Sequence, residues 1–220
     1  PTSGRRYTHP VQVTEIFFSI QGEGSRAGRP CVFVRFTGCD LRCGYCDTAY
    51  AFQGGRPMSR PEILAEVERH PARLVCLTGG EPLLQKELPA LAQDLIDRGY
   101  EVTVETHGQR PLEGLPPEVV RIADVKTPGS GEVGRDLAWL ERLSPRDEVK
   151  FVVCSEEDFR WSLDVIRRHR LEGRVEVLLS PSHGQVDPRD LARWMLESGV
   201  RARLNLQLHK LVWGADARGV

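Results

Sequence analysis

Long apolar runs are missing. No stretch of about 18 apolar residues occurs in the 220 positions, which argues against a helical membrane span, and the first ten residues hold no signal-peptide h-region. The protein is therefore expected to be cytoplasmic, with no membrane partner. An excess of either charge is missing too. At a net −1 the chain offers no broad electrostatic footprint for nucleic acid, so direct nucleic-acid binding is not expected. The one basic run, Arg167-Arg168-His169-Arg170, closes a predicted helix and reads as a solvated helix terminus, where positive charge suits the dipole. Cysteine is sparse: six in a chain of this size make no disulfide framework, and clustered thiols in a reducing cytosol more often bind metal. Cys31, Cys76 and Cys154 lie in or just after apolar runs and read as buried small hydrophobes.

What is present is ordinary in bulk. Hydrophobic residues at 40% and charged ones at 28% are globular values. A single domain over 1–220 is expected, with loose tails at 1–10 and 211–220. Apolar or alternating segments predict strands at 11–17, 31–36, 73–77, 101–105, 121–126, 149–153, 175–179 and 200–208. Ser59-Arg60-Pro61-Glu62 is a capping box that opens a helix with Ile63, Leu64 and Val67 inward. Leu88, Leu91 and Leu95 predict a second helix, stopped at Gly99, and Leu137, Leu140 and Leu143 a third. Ser155 caps a fourth with Phe159, Leu163 and Ile166 on one face; Asp187-Pro188 opens a fifth with Leu191, Trp194 and Met195, stopped at Gly199. Pro111, Pro116 and Pro117 replace a helix in one connection. Strands alternating with helices imply parallel β/α units. Six to seven units fall short of an eight-unit barrel, so the expected fold is α/β, an incomplete, open parallel barrel with its site at the C-terminal ends of the strands.

The other three cysteines, Cys39, Cys43 and Cys46, fall at C-x3-C-x2-C within the segment from Phe36 to Thr48. Soft thiolates suit iron–sulfur clusters or zinc. Zinc prefers paired ligands, and no second C-x2-C or H-x3-H pair follows. Three thiolates on a four-iron cluster leave one iron open to an outside ligand, as a catalytic site requires. Arg35 is anomalous within an apolar run and reads as a carboxylate binder, the alternative being a strand-end arginine that reaches solvent. Ser19-Ile20-Gln21-Gly22-Glu23-Gly24 is a polar loop that an ordinary turn would also explain. In Thr78-Gly79-Gly80-Glu81-Pro82 the glycines permit close backbone approach to a ligand and Glu81 suits an ammonium, a tight turn being the other reading.

The cysteine spacing resembles the signature of radical S-adenosylmethionine (SAM) enzymes, and Gly79-Gly80-Glu81 resembles the motif with which they hold the methionine amino group. Added to these, Ser19 to Gly24, Gly28-Arg29-Pro30, Arg35 to Cys39, Cys46-Asp47-Thr48, the run from Thr78 to Gln85 and Gln207-Leu208-His209-Lys210 resemble the 7-carboxy-7-deazaguanine synthase family, from about Val13 to Lys210. That resemblance implies a lyase that converts 6-carboxy-5,6,7,8-tetrahydropterin to 7-carboxy-7-deazaguanine with loss of ammonia, using a [4Fe-4S] cluster, SAM and Mg²⁺, in the pathway to queuosine. It implies Cys39, Cys43 and Cys46 as cluster ligands. SAM would lie on Tyr45, Cys46, Asp47, Gly79, Gly80, Glu81, Glu105, Lys126, Thr127, Pro128 and the loop Ser180, Pro181, Ser182 and His183. Ile20, Gln21, Gly22, Glu23, Arg35, Thr78 and His209 would hold the pterin, and Thr48 the Mg²⁺, although a threonine there also suits a turn cap. A flavodoxin-like electron donor and a homodimer follow from the same resemblance. A glycyl-radical activase shares the cysteine spacing but leaves Gln21 to Gly24, Arg35 and Cys46-Asp47-Thr48 unexplained together. A zinc-binding interaction module is the alternative of another class.

Overall fold

The computed structural model describes residues 10–134 and 136–220. Of the tail expected over 1–10, positions 1–9 lie outside the described residues. The strands are β1 (Val11–Ile20), β2 (Pro30–Phe36), β3 (Arg56–Met58), β4 (Leu74–Gly79), β5 (Glu101–Thr106), β6 (Val120–Val125), β7 (Glu148–Val153), β8 (Glu176–Pro181) and β9 (Arg203–Leu204). They form one open sheet in the order β3-β1-β2-β4-β5-β6-β7-β8-β9. From β2 to β9 every pair is parallel, the expected unclosed barrel.

Helices α1 (Arg60–Glu68), α2 (Leu88–Asp97), α3 (Glu156–Arg168) and α4 (Pro188–Ser198) cover the outer face, and the short α5 (Leu208–Trp213) stands at the cavity. The capping box of α1 forms as its residues dictate, with Glu62 N–H donating to the Ser59 hydroxyl and Ser59 N–H to the Glu62 carboxylate. Ile63 and Val67 of α1 and Leu91 and Leu95 of α2 pack with Val34, Leu77 and Val104 of the sheet. Phe159 and Ile166 of α3 and Leu191 of α4 pack with Phe151, Val153 and Leu179. Burying each such side chain contributes about 1.5–3 kcal/mol. Among the described residues no helix is long and apolar enough to cross a membrane.

Strand alternation sends the other residues of the parallel strands to the inner face. Arg35, Thr78, Glu105, Asp124, Lys150 and Ser180 all fall there and line one cavity. The sheet thus presents a polar row inward and an aliphatic row to its helices.

Several segments depart from expectation. β1 is antiparallel to β2, and β3 escapes the sequence pattern because it is a three-residue edge strand, Arg-Pro-Met. The helix predicted around Leu137 to Leu143 is absent. Two 3-10 turns, Pro128–Ser130 and Ala138–Arg142, stand between β6 and β7, in a stretch with Pro128, Gly129, Gly131 and Gly134. Leu140 and Leu143 are still buried. The strand predicted over 200–208 contracts to β9, because the side chains of Asn205 and Gln207 bond into the site and the chain turns into α5. Cys154 is half-buried rather than buried. The tail expected over 211–220 begins inside α5, and residues 215–220 line the cavity.

Candidate active site

The C-terminal ends of the parallel strands open into a cavity of about 640 Å³. The cysteine loop leaves β2 at its rim. Backbone bonds fasten it to the loop after β4: Gly80 N–H donates to Phe36 O at 3.1 Å and Glu81 N–H to Gly38 O at 2.7 Å. A Cβ at Gly80 would collide with the carbonyl of Gly38, so only glycine lets the two loops meet. Gly44 N–H reaches Ser130 O at 3.0 Å and tethers the far side of the cysteine loop.

Cys39, Cys43 and Cys46 are free, half-buried and face the cavity together. Burial pushes the Cys39 and Cys43 thiols up, and a cationic metal is the partner that would hold them as thiolates. Leu41 N–H already donates to Cys39 Sγ at 3.4 Å. The chemistry of this donor set fits an iron–sulfur cluster with one open iron. Asp40 and His107 place ligand atoms within 4.8 Å of the Cys39 sulfur. Both are engaged elsewhere: His107 Nε2 lies 3.0 Å from Asp40 Oδ1 and 3.2 Å from Glu81 Oε2, and Arg110 donates to Asp40 Oδ2 at 2.7 Å.

The polar row is arranged as ion pairs. Lys150 Nζ donates to Glu23 Oε2 at 2.9 Å and lies 3.7 Å from Asp124, which Lys126 holds at 2.9 Å. Burial alone would raise the Glu23 carboxyl, but the Lys150 charge and hydrogen bond, with one from Gln207, bring it below its ordinary range. Asp124 is lowered in the same way, burial being outweighed by Lys126 and Lys150, and its buried Oδ1 has no partner among the described residues. Glu105 accepts from Gln21 Nε2 at 3.3 Å and from the Thr78 hydroxyl at 2.9 Å. Arg35 Nε and the Tyr50 hydroxyl both donate to Glu15 Oε1, at 2.8 and 2.7 Å. Lys210 pairs with Asp47 at 2.8 Å. Burial lowers His209, whose ring lies where a Cβ at Gly22 would be.

Of the residues singled out from sequence, Cys39, Cys43, Cys46, Tyr45, Asp47 and Thr48 line this cavity, as do Ile20, Gln21, Gly22, Glu23, Arg35, Thr78, Gly79, Gly80, Glu105, Lys126, His209 and the loop from Ser180 to His183. Three do not. Glu81 is fully buried and accepts from the Thr106 hydroxyl, His107 N–H and Leu83 N–H, so its carboxylate braces loops instead of facing a ligand. Thr127 is buried, donating to Val152 O and Asp158, and Pro128 is exposed at the start of a 3-10 turn. Asp124, Lys150, Gln207 and Lys210 were absent from the predicted site set and belong to it. Asp124 and Lys150 stand at inward positions of β6 and β7, strands that also carry Arg121 and Glu148, so charge alone does not single them out.

The Radical SAM superfamily model matches residues 33–124. A 7-carboxy-7-deazaguanine synthase from Koribacter versatilis (strain Ellin345) is 47% identical, over 96% of this chain and 100% of the relative. Another, from Chlorobaculum tepidum, is 44% identical over 96% of this chain and 98% of the relative. Among solved structures, QueE from Escherichia coli aligns with a TM-score of 0.75 at 23% identity, over 90% of this chain and 94% of that one, a likeness of fold.

Proposed function

The chain belongs to the 7-carboxy-7-deazaguanine synthase family, and from that premise we propose that it is a radical SAM lyase converting 6-carboxy-5,6,7,8-tetrahydropterin to 7-carboxy-7-deazaguanine with loss of ammonia. One observation carries the reading from the structure's side: three free thiols and an inward row of paired charges share one cavity at the strand ends. When bound, a [4Fe-4S] cluster and SAM would supply the 5′-deoxyadenosyl radical that takes hydrogen from C6 of the pterin.

The chain's own residues bind, orient and exclude water. Cys39, Cys43 and Cys46 would hold the cluster, with the Gly79-Gly80 backbone beside them on the SAM side. Glu23, kept ionised by Lys150, offers acceptors to the N–H edge of a pterin, and Gln21 and Thr78 are turned toward the same wall by Glu105. Thr48 places a hydroxyl on the cavity 3.7 Å from Cys46 Sγ, the hard-oxygen contact that Mg²⁺ favours, so Mg²⁺ would join there through water and the substrate carboxylate. A flavodoxin-like electron donor and a homodimer complete the proposal on the strength of the family resemblance.

The test is anaerobic reconstitution with iron and sulfide, then incubation with the carboxylated tetrahydropterin, SAM and a reductant, with products read by mass spectrometry. A brown protein that yields the carboxylated deazapurine is the expected outcome. A brown protein that cleaves SAM but leaves the pterin intact would sink the substrate assignment, and a colourless zinc protein would sink the catalysis.

A further inference from the structure

Residues 215–220 follow α5 and return to form part of the cavity wall. Their one basic side chain, Arg218, is unlike the other lysines and arginines of that wall. Lys126 has Asp124, Lys150 has Glu23, Lys210 has Asp47 and Arg35 has Glu15. Arg218 forms no ion pair within 4.0 Å among the described residues, not even with Asp216 two positions before it. It lies instead over the ring of Tyr50, its guanidinium carbon 4.3 Å from the ring centroid. A cation held by an aromatic face keeps its N–H fork open, and that fork matches a carboxylate in bidentate fashion.

The ring that carries it is itself fixed. The Tyr50 hydroxyl donates to Glu15, and Arg35, donating to the same oxygen, lies 5.9 Å from the same ring centroid. Glu15 thus accepts from both Arg35 and Tyr50, which leaves Arg218 as the cation free to meet an incoming anion. This corner is bounded by Phe17 and Arg35 of β1 and β2, on the wall that the family resemblance gives to the substrate rather than to SAM.

We propose that Arg218, posed on Tyr50, grips the carboxylate of the acidic pterin, so that the segment beyond Lys210 supplies a specificity-determining contact. The assignment rests on the lyase reading above. It gives Arg218 work that Arg35, engaged with Glu15, leaves open.

The experiment is equilibrium binding to the reconstituted, SAM-loaded protein under nitrogen, comparing the carboxylated tetrahydropterin with the same ring system lacking the carboxylate. In Arg218→Ala the carboxylated ligand should bind about ten-fold more weakly, the ligand without the carboxylate should be unchanged, and Arg218→Lys should recover part of the loss. The side chain is exposed, so the melting temperature of the variants should stay with the parent and separates lost binding from lost folding. Equal binding of the carboxylated pterin by parent and Arg218→Ala would overturn the assignment. So would an equal loss for both pterins, or weakened SAM binding, which would give the guanidinium to the SAM carboxylate. A parent protein that binds neither pterin would remove the lyase reading and this inference with it, whereas a parent that turns over the pterin beside an unaffected variant removes this inference alone.

Discussion

Lys150 on β7 and Glu23 in the loop after β1 are 127 positions apart in sequence, and they meet as an ion pair of 2.9 Å inside the cavity. Their side chains are 13% and 14% exposed, so each charge depends on the other.

Replacing Lys150 with methionine should therefore cost about 2–3 kcal/mol at pH 7, by leaving Glu23 without its cation and Asp124 with Lys126 alone. The pH dependence should also change sign. In the parent, Glu23 sits below its unfolded value, so its contribution is present above the ordinary carboxylate range and is lost as the pH falls through the folded value. Without Lys150, burial is left to raise Glu23, and stability should decline as the pH rises through that raised value. Melting temperature against pH for Lys150→Met and for Lys150→Met with Glu23→Gln checks this. A double variant no more stable than the single one would mean that the pair is not coupled.

Much of the architecture was legible because the outer rows of the strands are aliphatic and the helices carry ordinary caps, as at Ser59 and Ser155. The cysteine loop and Gly79-Gly80 were legible as a pair, one strand apart, where either alone also suits zinc or a tight turn. Glu81 was misplaced, since its motif says that a carboxylate is needed but not that Thr106 and His107 consume it. Lys150 and Asp124 were hidden because pairing across β6 and β7 is a tertiary fact, and each alone reads as a charged strand residue. The path of residues 215–220 had no sequence signal, since no periodicity marks a segment that lies on a wall.

Gly80→Ala tests the seam between the cysteine loop and the loop after β4. The added methyl meets the carbonyl of Gly38, a backbone atom that has no rotamer with which to yield. Destabilisation of about 2–4 kcal/mol is expected, together with poor iron incorporation. Measured iron per chain and the urea midpoint would reveal it; parent-like values for both would show that the loops do not meet as described.

His107 joins Asp40 of the cysteine loop to Glu81. It should act as a positioning residue for the cluster loop. Once the protein is reconstituted, His107→Ala is expected to lose its iron–sulfur absorbance to a chelator about ten-fold faster than the parent, because it removes a contact that braces the loop carrying the cluster cysteines. His107→Gln, which keeps a donor for Asp40, should fall between them. Indistinguishable bleaching of all three proteins would reduce the contact to ordinary packing.

Under the proposed function the Thr48 hydroxyl would meet Mg²⁺. Thr48→Ala should lower turnover and blunt the response of the rate to added Mg²⁺, while Thr48→Ser should keep most of it. A rate in Thr48→Ala that still rises with Mg²⁺ as in the parent would refute the role.

Lys210 ties α5 to the cysteine loop through Asp47, whose carboxyl would be raised by burial but is brought down by the Lys210 charge and hydrogen bond. Asp47 is 43% exposed, so the bond is worth only about 0.5–1 kcal/mol. Its mechanical effect should be larger than its energy, because among the described residues it is the ion pair that pins α5 just before the chain turns back along the cavity. Lys210→Met should leave the global melting temperature within a few degrees of the parent. Amide hydrogen exchange over 208–220 should quicken, because a segment with few buried contacts opens locally once an anchor is lost. Binding of the carboxylated pterin should weaken alongside, since Arg218 travels on the same segment. Unchanged exchange with weakened binding would instead place Lys210 in direct contact with the ligand.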